Sequence, residues 1–439
     1  MSLLKVSGTK IIDNHGNEVV LRGAGLGGWM NLGLNCIRLP FNYHHFEDDM
    51  NPRVLKESGF KHLDRVINIC AAHGIYTILD LHTAPGGQNT DWHSDHGSHI
   101  ANCAYLPHEL ITCLIYLIVW NHKDFLDRAV WLWEQLAAHY KGNPWIAGYN
   151  PLNEPTDPKH TRVIAFYDRV HKAIRAIDPD HIIFFDGNTF ASDFSHFGDA
   201  HKKWGNTAYS IHDYSSYGFP AADELYSGTD EQRRRMKRSY EKKREWMDQR
   251  DLCVWNGEWG PVYARRQYEG EATDRINESR YNVLKDQLEI YNKDRLSWSI
   301  WLYKDIGFQG MVYVSTETPY MTLFKDFLAK KHRLAIDAWG ADDVAVNQVY
   351  QPLVDHILQE IPPQYQALYP APVWKLDSRV TRLARNILVS EFMIKEWADH
   401  FIGKSLEEID ALASSFKYEN CLKREGLNRI LTENAKLVQ

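Results

Sequence analysis

The sequence predicts an α/β fold, a (β/α)8 TIM barrel with a helical C-terminal extension, and three observations predict the barrel. Short apolar runs alternate with long amphipathic ones about eight times. The apolar runs are near-continuous in apolar content, as strands buried on both faces are. The polar residues that stand out lie at the carboxyl ends of those runs, which converge on one face of such a barrel. A doubly wound sheet is the competing arrangement, but no GxGxxG follows a strand and opens a helix.

The elements follow in order. TKIIDNHGNEVVLRG (9–23) reads as a hairpin turning at Asp13–Gly16. Strand-like runs follow at 21–28, 35–41, 75–82, 146–155, 181–187, 207–214, 252–260 and 296–305. Helix-like segments lie between them. Residues 57–74 and 124–142 end at glycines, 160–179 stops at a proline, and 275–294 keeps the helical period. The last hundred residues differ: a proline-rich stretch at 362–374 precedes amphipathic helices. This divides the chain into a catalytic domain over 1–340 and a C-terminal extension over 341–439. The extension is either packed on the barrel or an appendage that binds a partner.

Composition excludes several classes. The 439 residues carry a net charge of −7, which argues against nucleic acid or an anionic membrane as partner. The basic run RRRMKR (233–238) lies among acidic residues and reads as a solvated helix face. The N-terminus has no apolar h-region, so a cytoplasmic location is expected. Six cysteines without paired spacing read as free thiols. The apolar run LITCLIYLIVW is about half of the ~20 residues that a membrane-spanning helix needs.

The chemistry rests on two glutamates at strand ends, Glu154 in GYNPLNEP and Glu258 in WNGEWG. A glycosidic bond is cleaved by one carboxylic acid that protonates the leaving oxygen and one carboxylate on the opposite face of the sugar. The plainer reading makes each glutamate an ion-pair partner of Arg38 or Lys304. The wider set at strand ends (Arg38, His82, Asn153, Asp186, His212, Tyr214, Trp301, Lys304) favours the catalytic reading. Arg38 can hold a carboxylate by a bidentate fork, and a sugar's apolar face needs a flat aromatic surface. In WHSDHGSH (92–99), three histidines recur every third residue, at 93, 96 and 99. A metal set is the less favoured reading, and no cysteine stands beside them. The stretch reads instead as a polar loop on the catalytic face, with Trp92 or His93 touching sugar.

LGLNCIRLPF, DLHTAPGGQN, GYNPLNEP, SIHDY, NGEWG and SWSIWLYKD, in that order, resemble the signatures of glycoside hydrolase family 5, the cellulase-type family. The resemblance runs from about Gly8 to about Gly310. It implies a (β/α)8 fold and a retaining mechanism, with Glu154 as acid/base and Glu258 as nucleophile. By the same resemblance Arg38 positions the nucleophile and Asn153 bonds the sugar 2-hydroxyl. His82, His212 and Tyr214 line the cleaving subsite, and Trp301 lies beneath the sugar. No metal and no cofactor are implied, and the partner is a carbohydrate, a β-glucoside or β-glucan.

The sequence departs from that pattern twice. Only WMNLGL (29–34) separates the first strand from the second, whereas a parallel crossover needs a dozen or more residues, usually a helix. The first barrel helix is therefore missing after Asn31, as an omitted exon or a real truncation. The apolar run 103–119 reads as translated intron. With Cys103 encoded TGT, Ile118 ATA and Val119 GTN, the intervening DNA starts with GT and ends with AG. Its removal yields HIANFWNHKDFLDR, which flows into the next helix. A hydrophobic lid over the site is the alternative.

The leading expectation is a retaining β-glycosidase acting on β-linked glucosides. An endo-acting β-glucanase is the second reading, distinguished by an open cleft. A catalytically impaired carbohydrate-binding pseudoenzyme is the third; both glutamates argue against it and the missing helix argues for it.

Overall fold

The structure is a computed structural model, described over residues 3–25, 33–89, 91–94, 118–336, 339, 343–368, 376, 380, 384–385 and 389–437. Two short strands, β1 (Lys5–Ser7) and β2 (Lys10–Ile12), pair antiparallel ahead of the barrel. The expected hairpin is thus displaced toward the amino terminus. Its turn at Asp13–Gly16 exists, with Gly16 N donating to Asp13 O, but a single bridge between Ile12 and Glu18 closes it.

Eight parallel strands then close into a barrel. They are β3 (Arg22–Gly25), β4 (Cys36–Asn42), β5 (Tyr76–Thr83), β6 (Ile146–Asn150), β7 (Ile182–Asp186), β8 (Thr207–His212), β9 (Val254–Glu258) and β10 (Ser297–Ile300). The seam pairs Ser299 of β10 with Gly23 of β3. All eight expected strands are present, most of them shorter than the apolar runs that carry them.

The period of two along each strand grades the barrel interior from apolar to polar. Cys36 is followed two residues on by Arg38, Ile78 by Asp80, Phe184 by Asp186, and Ala208 by Ser210 and His212; all of these are buried. Toward the amino-terminal end, Cys36, Ile78, Ala147, Phe184, Ala208 and Trp255 form one apolar cluster with Leu4 and Ile11 of the leading hairpin. A second, larger cluster joins the strands to the surrounding helices.

Those helices follow from their apolar spacing. Glu57–Ala72 buries Phe60, Leu63, Ile67 and Cys70, and Gly74 turns the chain away at φ 73°. Arg162–Ile177 buries Val163, Phe166, Val170 and Ile174. Asp230–Asp248 opens on a capping box between Thr229 and Gln232. Its basic run is the expected solvated face: Arg234 and Arg235 pair with Glu231, and only Met236 of that run is buried. No helix among the described residues is long and apolar enough to cross a membrane.

The C-terminal part is not helical throughout. A three-stranded sheet forms beside the barrel, with β11 (Lys304–Asp305) parallel to β12 (Val312–Val314) and β13 (Cys421–Lys423) antiparallel to β12. The helix Glu425–Leu437 follows, burying Leu427, Ile430, Leu431 and Ala435 and packing against Thr273–Lys293. A Cβ on Gly33 would sit 2.8 Å from that of Ala435. The last seventeen described residues therefore belong to the barrel wall.

The connection expected to lack a helix lies mostly outside the described residues, because 26–32 are not among them. Its ends are fixed: Gly25 and Arg38 are parallel register partners, with Cys36 opposite Gly23. Residues 103–117 of the apolar run also lie outside. The run ends in a helical turn where Val119 and Trp120 are buried, and Trp120 Nε1 donates to Gln88 O at 3.0 Å.

Candidate active site

The eight residues expected to form the site meet at the carboxyl ends of the barrel strands. Arg38, fully buried in β4, lies level with the end of β3 and reaches across the barrel. Its Nη1 donates to Glu258 Oε1 at 2.6 Å and its Nη2 to Asn153 Oδ1 at 2.8 Å. Nη2 also lies 3.1 Å from Asp80 Oδ1, and both Nε and Nη2 donate to Asn150 Oδ1. Burial pulls the guanidinium pKa down, but Asp80, Glu258 and Asp186 outweigh it and the net direction is up. Arg38 is a fixed cation.

Glu258 closes β9. Tyr214, just past β8, donates its hydroxyl to Glu258 Oε2 at 2.9 Å. Each carboxylate oxygen of Glu258 therefore has its own donor, so the side chain is held in one orientation. Burial, and then the Glu258 charge, raise the Tyr214 phenol well above its ordinary range, keeping it a donor.

Glu154 is held differently. His212 Nδ1 lies 2.7 Å from its Oε1 and His93 Nε2 lies 3.2 Å from its Oε2. Burial raises this carboxyl; the two imidazoles more than offset that and leave it well below the usual value. Burial lowers His212, while Glu258, Asp186 and Glu154 carry it to a net rise. One carboxylate thus sits among hydrogen-bond donors that do not titrate near neutrality, and the other between two groups that can carry a proton. Carboxylate oxygens of the two glutamates and a ring nitrogen of His212 lie within 4.8 Å of one another.

The backbone of Glu154 is strained, with φ 45° immediately before Pro155. Two side chains hold it: Glu154 N donates to Asp186 Oδ2 at 3.0 Å, and Asn89 Nδ2 donates to Glu154 O at 3.0 Å. Asp186 also accepts from Asn150 Nδ2, and its own pKa is raised by burial, which His212 and Arg38 offset only in part.

Trp301 follows β10 and stacks on His82 with ring centroids 5.3 Å apart and planes 6° from parallel. His82 Nδ1 lies 2.8 Å from Asp80 Oδ2. Gly25 makes room for the indole, since a Cβ there would lie 2.6 Å from Trp301 Cε3. Asn153 gives its oxygen to Arg38, which turns its amide nitrogen toward the site, 3.5 Å from His82 Nε2.

One residue of the strand-end set stands apart. Lys304 is no part of the site; its Nζ donates to the Phe416 carbonyl at 2.6 Å. His93, expected to touch sugar, lies against Glu154 and 2.7 Å from Asn89 Nδ2. The side chain of Trp92, and His96 and His99, lie outside the described residues. Residues that sequence reasoning passed over are Asp80, Asn89, Asn150 and Gly25. Asp80 and Asn89 stand within DLHTAPGGQN and Asn150 within GYNPLNEP, so the signal was present in motifs read only for their other members. Among the described residues, two groups have donor atoms close enough to hold a metal ion: Glu154, His212 and Glu258, and separately His160, Asp193 and His196.

The profile described as Cellulase (glycosyl hydrolase family 5) matches residues 25–307. A protein named Beta-xylosidase from Phanerodontia chrysosporium is 67% identical over 488 aligned positions, covering all of this chain and 99% of the relative. Those 488 positions against 439 residues leave at least 49 positions of the relative without a counterpart here. Endoglucanase C from Acetivibrio thermocellus is 26% identical over 189 residues, 43% of this chain and 48% of the relative. Among solved structures, an endogalactoceramidase superposes with a TM-score of 0.51 at 18% identity, over 69% of this chain and 75% of its own. That likeness concerns the fold. With the barrel, the ordered motifs and the profile in agreement, the chain belongs to glycosyl hydrolase family 5 and is a glycoside hydrolase.

Proposed function

We propose that this chain is a retaining β-xylosidase that releases xylose from β-xylosides. The observation that supports the retaining mechanism is the unequal environment of two carboxylates that each bring one oxygen within 4.8 Å of the other. Retaining enzymes hold their carboxyl groups ~5–5.5 Å apart, whereas inverting enzymes leave ~6.5–9.5 Å for a water. Glu258, fixed by Arg38 and Tyr214, is suited to attack the anomeric carbon and leave as the free carboxylate. Glu154, held in its charged form between His212 and His93, is suited to relay a proton from that pair to the leaving oxygen and then take one from water. The choice of xylose over glucose rests on the 67% identical relative.

The gene-structure reading belongs to the same proposal. A β3–β4 crossover over 26–35 is shorter than a parallel connection usually allows. The relative's additional aligned positions support a missing segment.

The test is turnover of p-nitrophenyl β-xyloside and β-glucoside by the purified chain, with the product anomer followed by NMR. Preference for the xyloside with β-xylose as first product is the expected result. First-formed α-xylose, or preference for the glucoside, overturns the corresponding half of the proposal.

A further inference from the structure

Trp339 lies beyond residue 307, where the family match ends, yet it reaches the neighbourhood of the nucleophile. Its Nε1 donates to Gln309 Oε1 at 2.5 Å, and the buried Gln309 donates in turn to Gly260 O at 3.1 Å, two residues past Glu258. The ring stands edge-on to Tyr214, with centroids 4.9 Å apart at 88°, and 4.6 Å from Phe219 at 69°. Tyr214 and Phe219 are themselves in edge contact at 5.8 Å. Through the Tyr214 hydroxyl this group of three rings connects directly to Glu258 Oε2.

Two features separate Trp339 from a tryptophan that merely fills space. It keeps 38% of its surface open while its neighbours in the group are half-buried. Its one polar atom is committed inward, so the surface it offers outward is apolar ring. An indole oriented by a hydrogen bond and by two rings loses little conformational freedom when a ligand docks on it. An apolar aromatic surface beside a sugar-cleaving centre fits the C–H face of a pyranose. By the family resemblance Trp301 serves the ring being cleaved, which leaves Trp339 for its neighbour.

We propose that Trp339, backed by Phe219 and Tyr214, forms a second sugar subsite that stacks the pyranose unit adjoining the one cleaved. The proposal rests on the glycosidase reading. It also assigns the chain beyond the family match a share in substrate choice, favouring oligosaccharides over simple aryl glycosides.

The experiment compares the full chain with W339A and W339F on xylobiose and p-nitrophenyl β-xyloside. It adds calorimetric titration of xylobiose into the same proteins. For W339A the expected loss in kcat/KM on xylobiose exceeds that on the aryl xyloside by about ten-fold, carried by KM. W339F, which keeps a ring but loses the bond to Gln309, recovers most of it. Equal losses on both substrates, with a lowered Tm, overturn the subsite and make Trp339 a support for Tyr214. Unchanged constants in W339A overturn it outright. If the parent chain hydrolyses neither substrate, the glycosidase reading fails. The titration still decides the subsite, which falls if xylobiose binds W339A and the parent equally or binds neither.

Discussion

Asp186 Oδ2 accepts the backbone N–H of Glu154 at 3.0 Å and so fixes the residue proposed to transfer the acid proton. The contact matters because Glu154 sits at φ 45° ahead of a proline, a conformation that costs on the order of 1–3 kcal/mol. Without an acceptor at this point, the Glu154 backbone would relax and swing its carboxyl away from the leaving oxygen.

Asp186→Ala is expected to lower kcat by about 100-fold, the scale of a 1 Å misplacement. Asp186→Asn keeps one acceptor oxygen and should lose about ten-fold or less. Steady-state kinetics together with thermal melting checks this; an alanine variant of full activity would remove the positioning role.

Glu258→Ala is expected to abolish turnover of a β-xyloside, with azide restoring it as the α-xylosyl azide, because the small anion enters where the carboxylate stood. Glu154→Ala should lose about 10²–10⁴-fold on substrates with poor leaving groups while sparing the first step with dinitrophenyl xyloside. NMR of the azide products reads the assignment, and an α-azide from the Glu154 variant would reverse it.

On the proposed mechanism the acid proton comes from the group of Glu154, His212 and His93, so its loss should set the alkaline limit of activity. Burial pulls His93 down, but its bond to Glu154 and the charges of Glu154, Asp91 and Glu258 carry it to a net rise. His212 is raised as well, by Glu258, Asp186 and Glu154 acting against burial. A raised value keeps the proton to higher pH, so kcat/KM should hold past the ordinary imidazole range before it falls. His93→Ala should move that alkaline limb and slow poor leaving groups more than good ones. The His82 ring 5.5 Å away and the Asn89 amide remain in place for comparison. An unmoved limb would leave His93 a packing residue.

Replacing residues 103–119 with a single Phe, and inserting a helix-length segment after Asn31, should raise soluble yield and β-glycosidase activity together. The inserted segment should matter more, since β3 and β4 are parallel neighbours joined by 26–35 alone. Four versions (unaltered, each change alone, both) measured by soluble yield and specific activity check this. An unaltered chain as active as the doubly changed one would make both segments native.

The barrel was legible because buried parallel strands write themselves as apolar runs; IIFFD at 182–186 could hardly be anything else. The carboxylates and their strand-end partners were legible through ordered motifs. What escaped was whatever depends on contacts distant in sequence. The helix Glu425–Leu437 has a plain amphipathic pattern, which says that one face is covered but not that Gly33 lies beneath it. Lys304 follows the last strand yet turns toward Phe416, 112 residues on. Trp339 carries no motif at all. His93 was visible as a site residue, but whether it faced sugar or Glu154 was decided by Asn89 and the strained loop beside it.

The helix Glu425–Leu437 has a consequence for how the chain comes to be folded in the cell. It fills the wall against Thr273–Lys293 and meets Gly33 just ahead of the second barrel strand, so this part of the wall stays uncovered until residues 425–437 are made. Ribosomes add roughly 5–20 residues per second. The stretch from Val314 to Glu425 therefore takes on the order of ten seconds to synthesise. Throughout that interval the nascent barrel presents the apolar surface that Leu427, Ile430 and Leu431 later cover. The barrel without this helix is the form that chaperones and proteases would meet during that interval.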